Sequence, residues 1–210
     1  MDSNLISLFN DNKMIKKIKL KFPYLFQLAE AENTRAGKIG MEIGTTRERI
    51  IISLLIFKFG DSLVNTQIPT TEAEIDVILG QNPISIKTIT NAILKGVKLS
   101  WTVDATKALD FVNNYTPSCE MLLAQINWNN NGAFFYFPLE VQKEVFNLIG
   151  RDAYFVLPKL GTNPRGVEIS ESALSLLSTH KNSHMITIHW VRQDINYNQF
   201  VRWVELWAQE

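Results

Sequence analysis

The run Glu74-Ile-Asp-Val-Ile-Leu-Gly-Gln-Asn-Pro-Ile-Ser-Ile-Lys-Thr88 leaves the chain few ways to fold around it. Apolar residues alternate at Ile75, Val77 and Leu79 and again at Ile84 and Ile86, with Gly80-Gln81-Asn82-Pro83 as turn chemistry between them. That is the pattern of two short, half-buried strands folded back on each other. If Gln81 and Asn82 form a two-residue loop, Gly80 pairs with Pro83 and Asp76 falls directly opposite Lys87 on one face of the sheet. Pro83 cannot donate a ladder bond, so a longer loop and a slipped register compete with this solution. On its own, an Asp/Lys pair across a hairpin is most often a plain ion pair on a solvated face. Its surroundings decide whether it is more.

Charge and composition exclude several classes. Lys+Arg and Asp+Glu both number 21 in 210 residues, so the chain is no generic polycation and any nucleic-acid affinity must come from local placement. Placement is uneven: Met1 to Gly60 carries ten Lys/Arg against six Asp/Glu. The single cysteine, Cys119, allows no internal disulfide and suits a reducing, cytoplasmic interior. No basic leader with an apolar run opens the chain, and Ile50 to Phe57, broken by Ser53, is far short of the roughly 20 residues of a membrane span. A soluble protein of one domain over 1–210 is expected, with N-terminal helices at 3–32, a core at about 45–128 and C-terminal elaborations at 133–210.

Apolar spacing predicts one helix from Asn4 to Leu20 and a second, opened or kinked by Pro23, through Glu32. Asn33 to Gly44 is a glycine-punctuated basic loop. It leads into a helix from Thr45 or Thr46, with Thr45 and Glu48 spaced as a Ser/Thr-x-x-Glu capping box and a body, Ile50 to Phe57, apolar nearly all round and so expected to be deeply buried. Strands follow at Ser62–Ile68, Glu74–Leu79 and Ile84–Ile89. Asp104 caps a helix over Ala105–Asn114, and Glu120–Trp128 and Ala133–Phe137 form a second hairpin. Leu139–Ile149 is a helix stopped by Gly150, Ala153–Leu157 a strand and Ser170–Leu177 a helix. Met185–Val191 is a strand and Tyr197–Gln209 a terminal helix.

Helix, three strands, helix, strand, with Asp76 on a strand, Lys87 in Ile-Ser-Ile-Lys and Glu48 on the helix before them, resembles the PD-(D/E)xK nuclease superfamily. The likeness covers Thr45 to Trp128. It implies a mixed α/β (α+β) fold with a central mixed β-sheet flanked by helices, and metal-assisted hydrolysis of phosphodiesters. It further implies Mg2+ held by Asp76, a second acid and the backbone carbonyl of Ile86, with Lys87 as the catalytic lysine. Where the superfamily places its second acid, two residues before the lysine, this chain has Ser85, which offers a hydroxyl and no charge. Glu48 is the expected replacement, Glu74 its rival and Glu72 a weaker one. The spacing of Glu48, Asp76 and Lys87 is similar to that of the ThaI family of type II restriction endonucleases. This likeness implies a homodimer that cuts double-stranded DNA at CGCG to blunt ends. A structure-selective nuclease and a DNA-binding module without catalysis are the alternatives.

Candidate DNA contacts are Arg35, Lys38, Arg47 and Arg49 around the glycine loop, Ser85 beside the site, Arg165 in Thr-Asn-Pro-Arg-Gly, and Lys181. Arginine offers the fork that reads guanine. Unbranched apolar side chains wedge between base steps from the minor groove, so Met41 is the expected intercalating wedge. The competing reading tucks Met41 and Ile43 under the loop as a hydrophobic staple. His180 and His184 lack a third ligand and are not expected to hold zinc.

Overall fold

Strands β7 (Glu120–Ile126) and β8 (Asn131–Phe137) are buried along almost their whole length, and the two-residue period of a strand sorts their side chains into two cores. Leu122, Ala124, Ile126, Phe134 and Tyr136 enter one; Met121, Leu123, Ala133, Phe135 and Phe137 enter the other. A sheet apolar on both faces must be covered on both. In this computed structural model, which describes residues 4–35, 38–40, 42–69, 74–102, 104–158 and 166–209, helices do so. The first core takes α1 (Asn4–Asn10), α2 (Asn12–Glu32) and α3 (Ile43–Phe59); the second takes α4 (Ala105–Asn114), α5 (Leu139–Ile149), α6 (Arg151–Tyr154) and α7 (Glu171–Thr179). A small hairpin, β1 (Thr34–Arg35) and β2 (Lys38–Ile39), joins α2 to α3.

The six-stranded sheet contains β3 (Val64–Asn65), β4 (Val77–Leu79), β5 (Asn82–Thr90), β7, β8 and β11 (His184–His189), in the order β11-β8-β7-β5-β4-β3. Among the described strands only β5 and β7 run parallel, joined by a crossover through α4. Strand β6 (Lys98–Ser100) leaves that crossover to form a second sheet with β10 (Val167–Ile169) and β9 (Phe155–Val156), in the order β6-β10-β9. Helix α8 (Val201–Trp207) follows β11.

Several expectations need correction. The N-terminal helices part at Asp11, whose carboxylate caps α2 through Lys13 and Met14, while Pro23 sits inside α2, where the helix absorbs one missing donor. Helix α3 starts at Ile43 without a side-chain cap, so Thr45 and Glu48 form no capping box. Only Ile51 and Leu55 of its apolar body are fully buried, because α3 packs on α2 and β5 along one side and leaves Phe57 63% exposed. The hairpin pairs Val77 with Ile84 and Leu79 with Asn82, with Gly80 at φ +63 as the first residue of a Gly80-Gln81 loop. Extended, that register sets Asp76 against Ser85 and not Lys87. The slip is two residues, which preserves the face, so Lys87 stays on the side of Asp76. Ala153 and Tyr154, expected to begin a strand, end helix α6, and the strand keeps Phe155–Val156; β10 falls in a stretch where no element was expected.

Candidate active site

Asp76 ends the irregular segment before β4, and three groups of β5 gather at its carboxylate. Oδ2 accepts the backbone N–H of Ile86 at 2.5 Å and the Ser85 hydroxyl at 3.5 Å, and lies 3.6 Å from Lys87 Nζ. The Asp76 backbone N–H donates to Ile84 O at 2.9 Å. The acid is thus oriented by the strand that carries the lysine. Both side chains of the pair keep some exposure, 21% for Asp76 and 16% for Lys87, so their attraction adds little to stability. Ser85 is fully buried behind the carboxylate, which removes it from the candidate DNA contacts.

Glu48 reaches the same place from the second turn of α3. Burial pushes its pKa up, and the negative charge of Asp76 pushes the same way; Lys87 and Arg49 oppose. Two carboxylates therefore face one cleft and repel each other. In protein free of divalent ions, Glu48 is expected to titrate above its ordinary value, and Asp76→Asn is expected to bring its pKa down, though not fully, because burial remains. Carboxyl 13C NMR of a glutamate-labelled sample checks this; an unchanged titration in Asp76→Asn would mean the two acids are not coupled.

Glu74 lines the same cleft but is engaged elsewhere: Tyr115 Oη donates to Oε1 at 2.6 Å and Ser118 Oγ to Oε2 at 2.9 Å. Each of its oxygens has a neutral donor, whereas Glu48 makes no such bond among the described residues. The cleft measures about 840 Å³. Glu48, Glu74, Asp76 and Lys87 line it, here termed the near wall, and so does the run from Lys95 to Trp101, here termed the far wall. Nothing local in the sequence pointed to that far wall, since β6 is held by its long-range pairing with β10.

Among the described residues no three His, Cys, Asp or Glu side chains converge on a point. Magnesium does not require three, because it keeps several waters and takes one or two carboxylates with substrate phosphate. Two carboxylates on one cleft, with Asp76 Oδ1 accepting no hydrogen bond among the described residues, fit such an ion.

The other predicted contacts divide. Arg47 is buried at 6% exposure: Nη2 donates to Glu30 Oε1 at 2.7 Å and Nη1 to Thr90 Oγ1 at 3.0 Å, so it is a structural cation and not a DNA contact. Lys38 on β2 and Arg49 on α3 are exposed, as is Lys181, which precedes β11 at the far edge of the main sheet. Met41, Glu72, Arg165 and the side chain of Arg35 lie outside the described residues. His180 Nε2 meets Glu144 at 3.1 Å while His184 stacks on Tyr136, so the two histidines share no site.

A mixed sheet that delivers an acid and a lysine on one hairpin, beside an acid on the preceding helix, is the architecture of a restriction-endonuclease-like nuclease. Comparison narrows this. The sequence pattern of the family described as "Restriction endonuclease ThaI" matches residues 8–209. A solved structure described as "Restriction endonuclease in complex with substrate DNA" is 52% identical, superposes with a TM-score of 0.93, and covers 98% of this chain and 99% of its own. No curated protein sequence matches the chain. The chain belongs to the ThaI family of restriction endonucleases.

Proposed function

We propose that this type II restriction endonuclease uses Mg2+ to cut both strands of duplex DNA at CGCG, leaving blunt ends, as a cytoplasmic homodimer. The observation that carries the chemistry is the juxtaposition of Asp76 and Lys87 at 3.6 Å with Glu48 facing the same cleft. The related structure with substrate DNA supports the choice of substrate.

Asp76 and Glu48, with the backbone carbonyl of Ile86, would hold the ion, and Glu74, already bonded to Tyr115 and Ser118, is the weaker second acid. The ion when bound lowers the pKa of water and offsets charge that builds on the phosphate. The protein groups do the orienting. The Ile86 N–H fixes the plane of the Asp76 carboxylate, and the Lys87 ammonium, held beside it, aligns the attacking water and stabilises the phosphate oxygens as they gain charge. Arg35, Lys38, Arg49, Arg165 and Lys181 are proposed phosphate or base contacts, and Met41 the wedge between base steps.

A dimer suits a symmetric site, since a two-fold protein mirrors a palindrome. It also gives the exposed apolar side chains of α8 a partner: Trp203 is 56% exposed, Val204 65% and Trp207 89%. No helix of the described chain is long and apolar enough to cross a membrane.

The test is plasmid DNA of known sequence with purified protein and Mg2+. Discrete fragments ending within CGCG are expected. A smear or junction-specific products would favour a structure-selective nuclease, and binding without cutting would favour a DNA-binding module.

A further inference from the structure

We propose that the far wall of the cleft is a second DNA-binding surface, in which the Trp101 indole lies against the sugar and base of the strand being cut and Lys95 takes a neighbouring phosphate. The proposal rests on the reading of the chain as a duplex-cutting enzyme and adds residues that neither the hairpin nor the glycine loop contains.

Trp101 is 69% exposed although it lines the cleft that holds Glu48, Asp76 and Lys87. The fold does not need it there. The buried apolar residues of this segment are Val97 and Leu99, and Trp101 joins neither core. Yet its ring has a defined neighbour. The Lys98 ammonium sits 4.9 Å from the centre of its ring, and Lys98 is itself tethered to Glu168 Oε1 at 2.8 Å across the pairing of β6 with β10. Behind it, Gly166 at φ +101 brings its backbone so close that a Cβ there would lie 1.9 Å from Ser100 O, so any side chain would push the wall away.

The charge distribution says what the wall faces. The near wall presents the acids Glu48, Glu74 and Asp76, with Lys87 paired to one of them. A polyanion in this cleft needs cations elsewhere in its lining. Lys95 supplies one: it is exposed and makes no ion pair among the described residues. A rigid aromatic beside a free ammonium is the chemistry that grips a nucleic-acid strand, the ring through stacking and the cation through phosphate. In this assignment the strand lies between the catalytic acids and the Trp101 ring, so the wall sets how deeply the scissile phosphate enters.

The protein is titrated in EDTA, to withhold divalent ions, with a fluorescein-labelled duplex centred on CGCG, read by anisotropy and by intrinsic tryptophan fluorescence. Trp101→Ala is expected to weaken binding roughly ten-fold, within the range for losing one stacked base. Lys95→Ala is expected to flatten the log–log salt dependence by about 0.9, one phosphate contact. Trp101→Phe keeps most of the affinity but loses part of the DNA-induced fluorescence change. Trp101→Ala and Lys95→Ala that melt, bind and cut like wild type would overturn the proposal, as would a full fluorescence change in Trp101→Phe. A change in oligomeric state at unchanged DNA affinity would also overturn it, because Trp101 would then be a subunit contact. If the wild-type protein binds the duplex and these variants match it, only the far wall fails; if wild type does not bind, the duplex-cutting reading fails with it.

Discussion

Asp76→Ala is expected to slow cleavage at least about a thousand-fold while moving the melting temperature by only a few degrees. The activity loss follows from removing the carboxylate that β5 orients: a deficit of roughly 4 kcal/mol in transition-state stabilisation is three powers of ten in rate. The small stability change follows from the same geometry. The ion pair with Lys87 is partly solvated and worth about 0–1 kcal/mol, and its loss is offset by relief of the repulsion that, after burial, raises the Glu48 pKa. A protein of this length shifts by about 2–4 °C per kcal/mol. Lys87→Ala is expected to cost about 100- to 1,000-fold for the loss of one aimed donor. Lys87→Arg is not expected to restore the rate, because a planar fork does not occupy the space of a compact ammonium. Single-turnover cleavage at saturating duplex, with melting followed by circular dichroism, separates chemistry from folding. Wild-type cutting by Asp76→Ala or Lys87→Ala would place the active site elsewhere.

How much of this was legible in the sequence depends on whether the deciding contact is local. Asp104 with the helix Ala105–Asn114, and Leu139–Ile149 stopped at Gly150, are found where capping and apolar spacing put them, because their signals lie within one turn of the ends they mark. The order around the catalytic hairpin was equally readable, and even its misjudged register left Asp76 and Lys87 on one face. The slip changes which residue backs the acid: Ser85 and the Ile86 N–H, not Lys87, stand against Asp76. What the chain hides are partnerships across long separations. Strand β10 pairs with β6 some 70 positions away, and no local pattern of three residues specifies that. Arg47, flanked by Thr46 and Glu48 in a basic stretch, looks like a phosphate contact until Glu30 of a different helix is found beneath it. A charged residue in a half-apolar helix reads as exposed unless its buried counter-ion is known.

That counter-ion is the basis of the second large effect. Glu30, 6% exposed at its side chain, accepts three donors: Arg47 Nη2 at 2.7 Å and Trp128 Nε1 at 2.8 Å on Oε1, and Arg192 Nη2 at 2.7 Å on Oε2. It ties α2 to α3, to the turn after β7 and to the segment after β11. Arg47 extends the link by its bond to Thr90 at the end of β5, the strand of Lys87. Glu30→Ala leaves the Arg47 guanidinium buried without its counter-ion, with the neutral Thr90 hydroxyl still bonded to it, and its pKa is already pulled down by burial. The expected cost is about 3–5 kcal/mol, roughly 10 °C in melting temperature. Arg192 contributes less to that loss, because at 44% exposure it can turn to water. A buried pair replaced as a whole behaves differently from one that is broken, so Glu30→Leu with Arg47→Met is expected to recover much of the stability of either single change. Cleavage should not recover with it. Arg47 precedes Glu48 in α3 and fastens that turn to β5, so the apolar pair restores packing but not the bond that sets Glu48 against Asp76 and Lys87. Denaturant unfolding and single-turnover cleavage on the four members of the cycle read both quantities. Additive stability losses would mean that Glu30 and Arg47 do not act as a pair, and a double variant that regains wild-type cleavage would mean that the link from Arg47 to Thr90 does not position the catalytic helix.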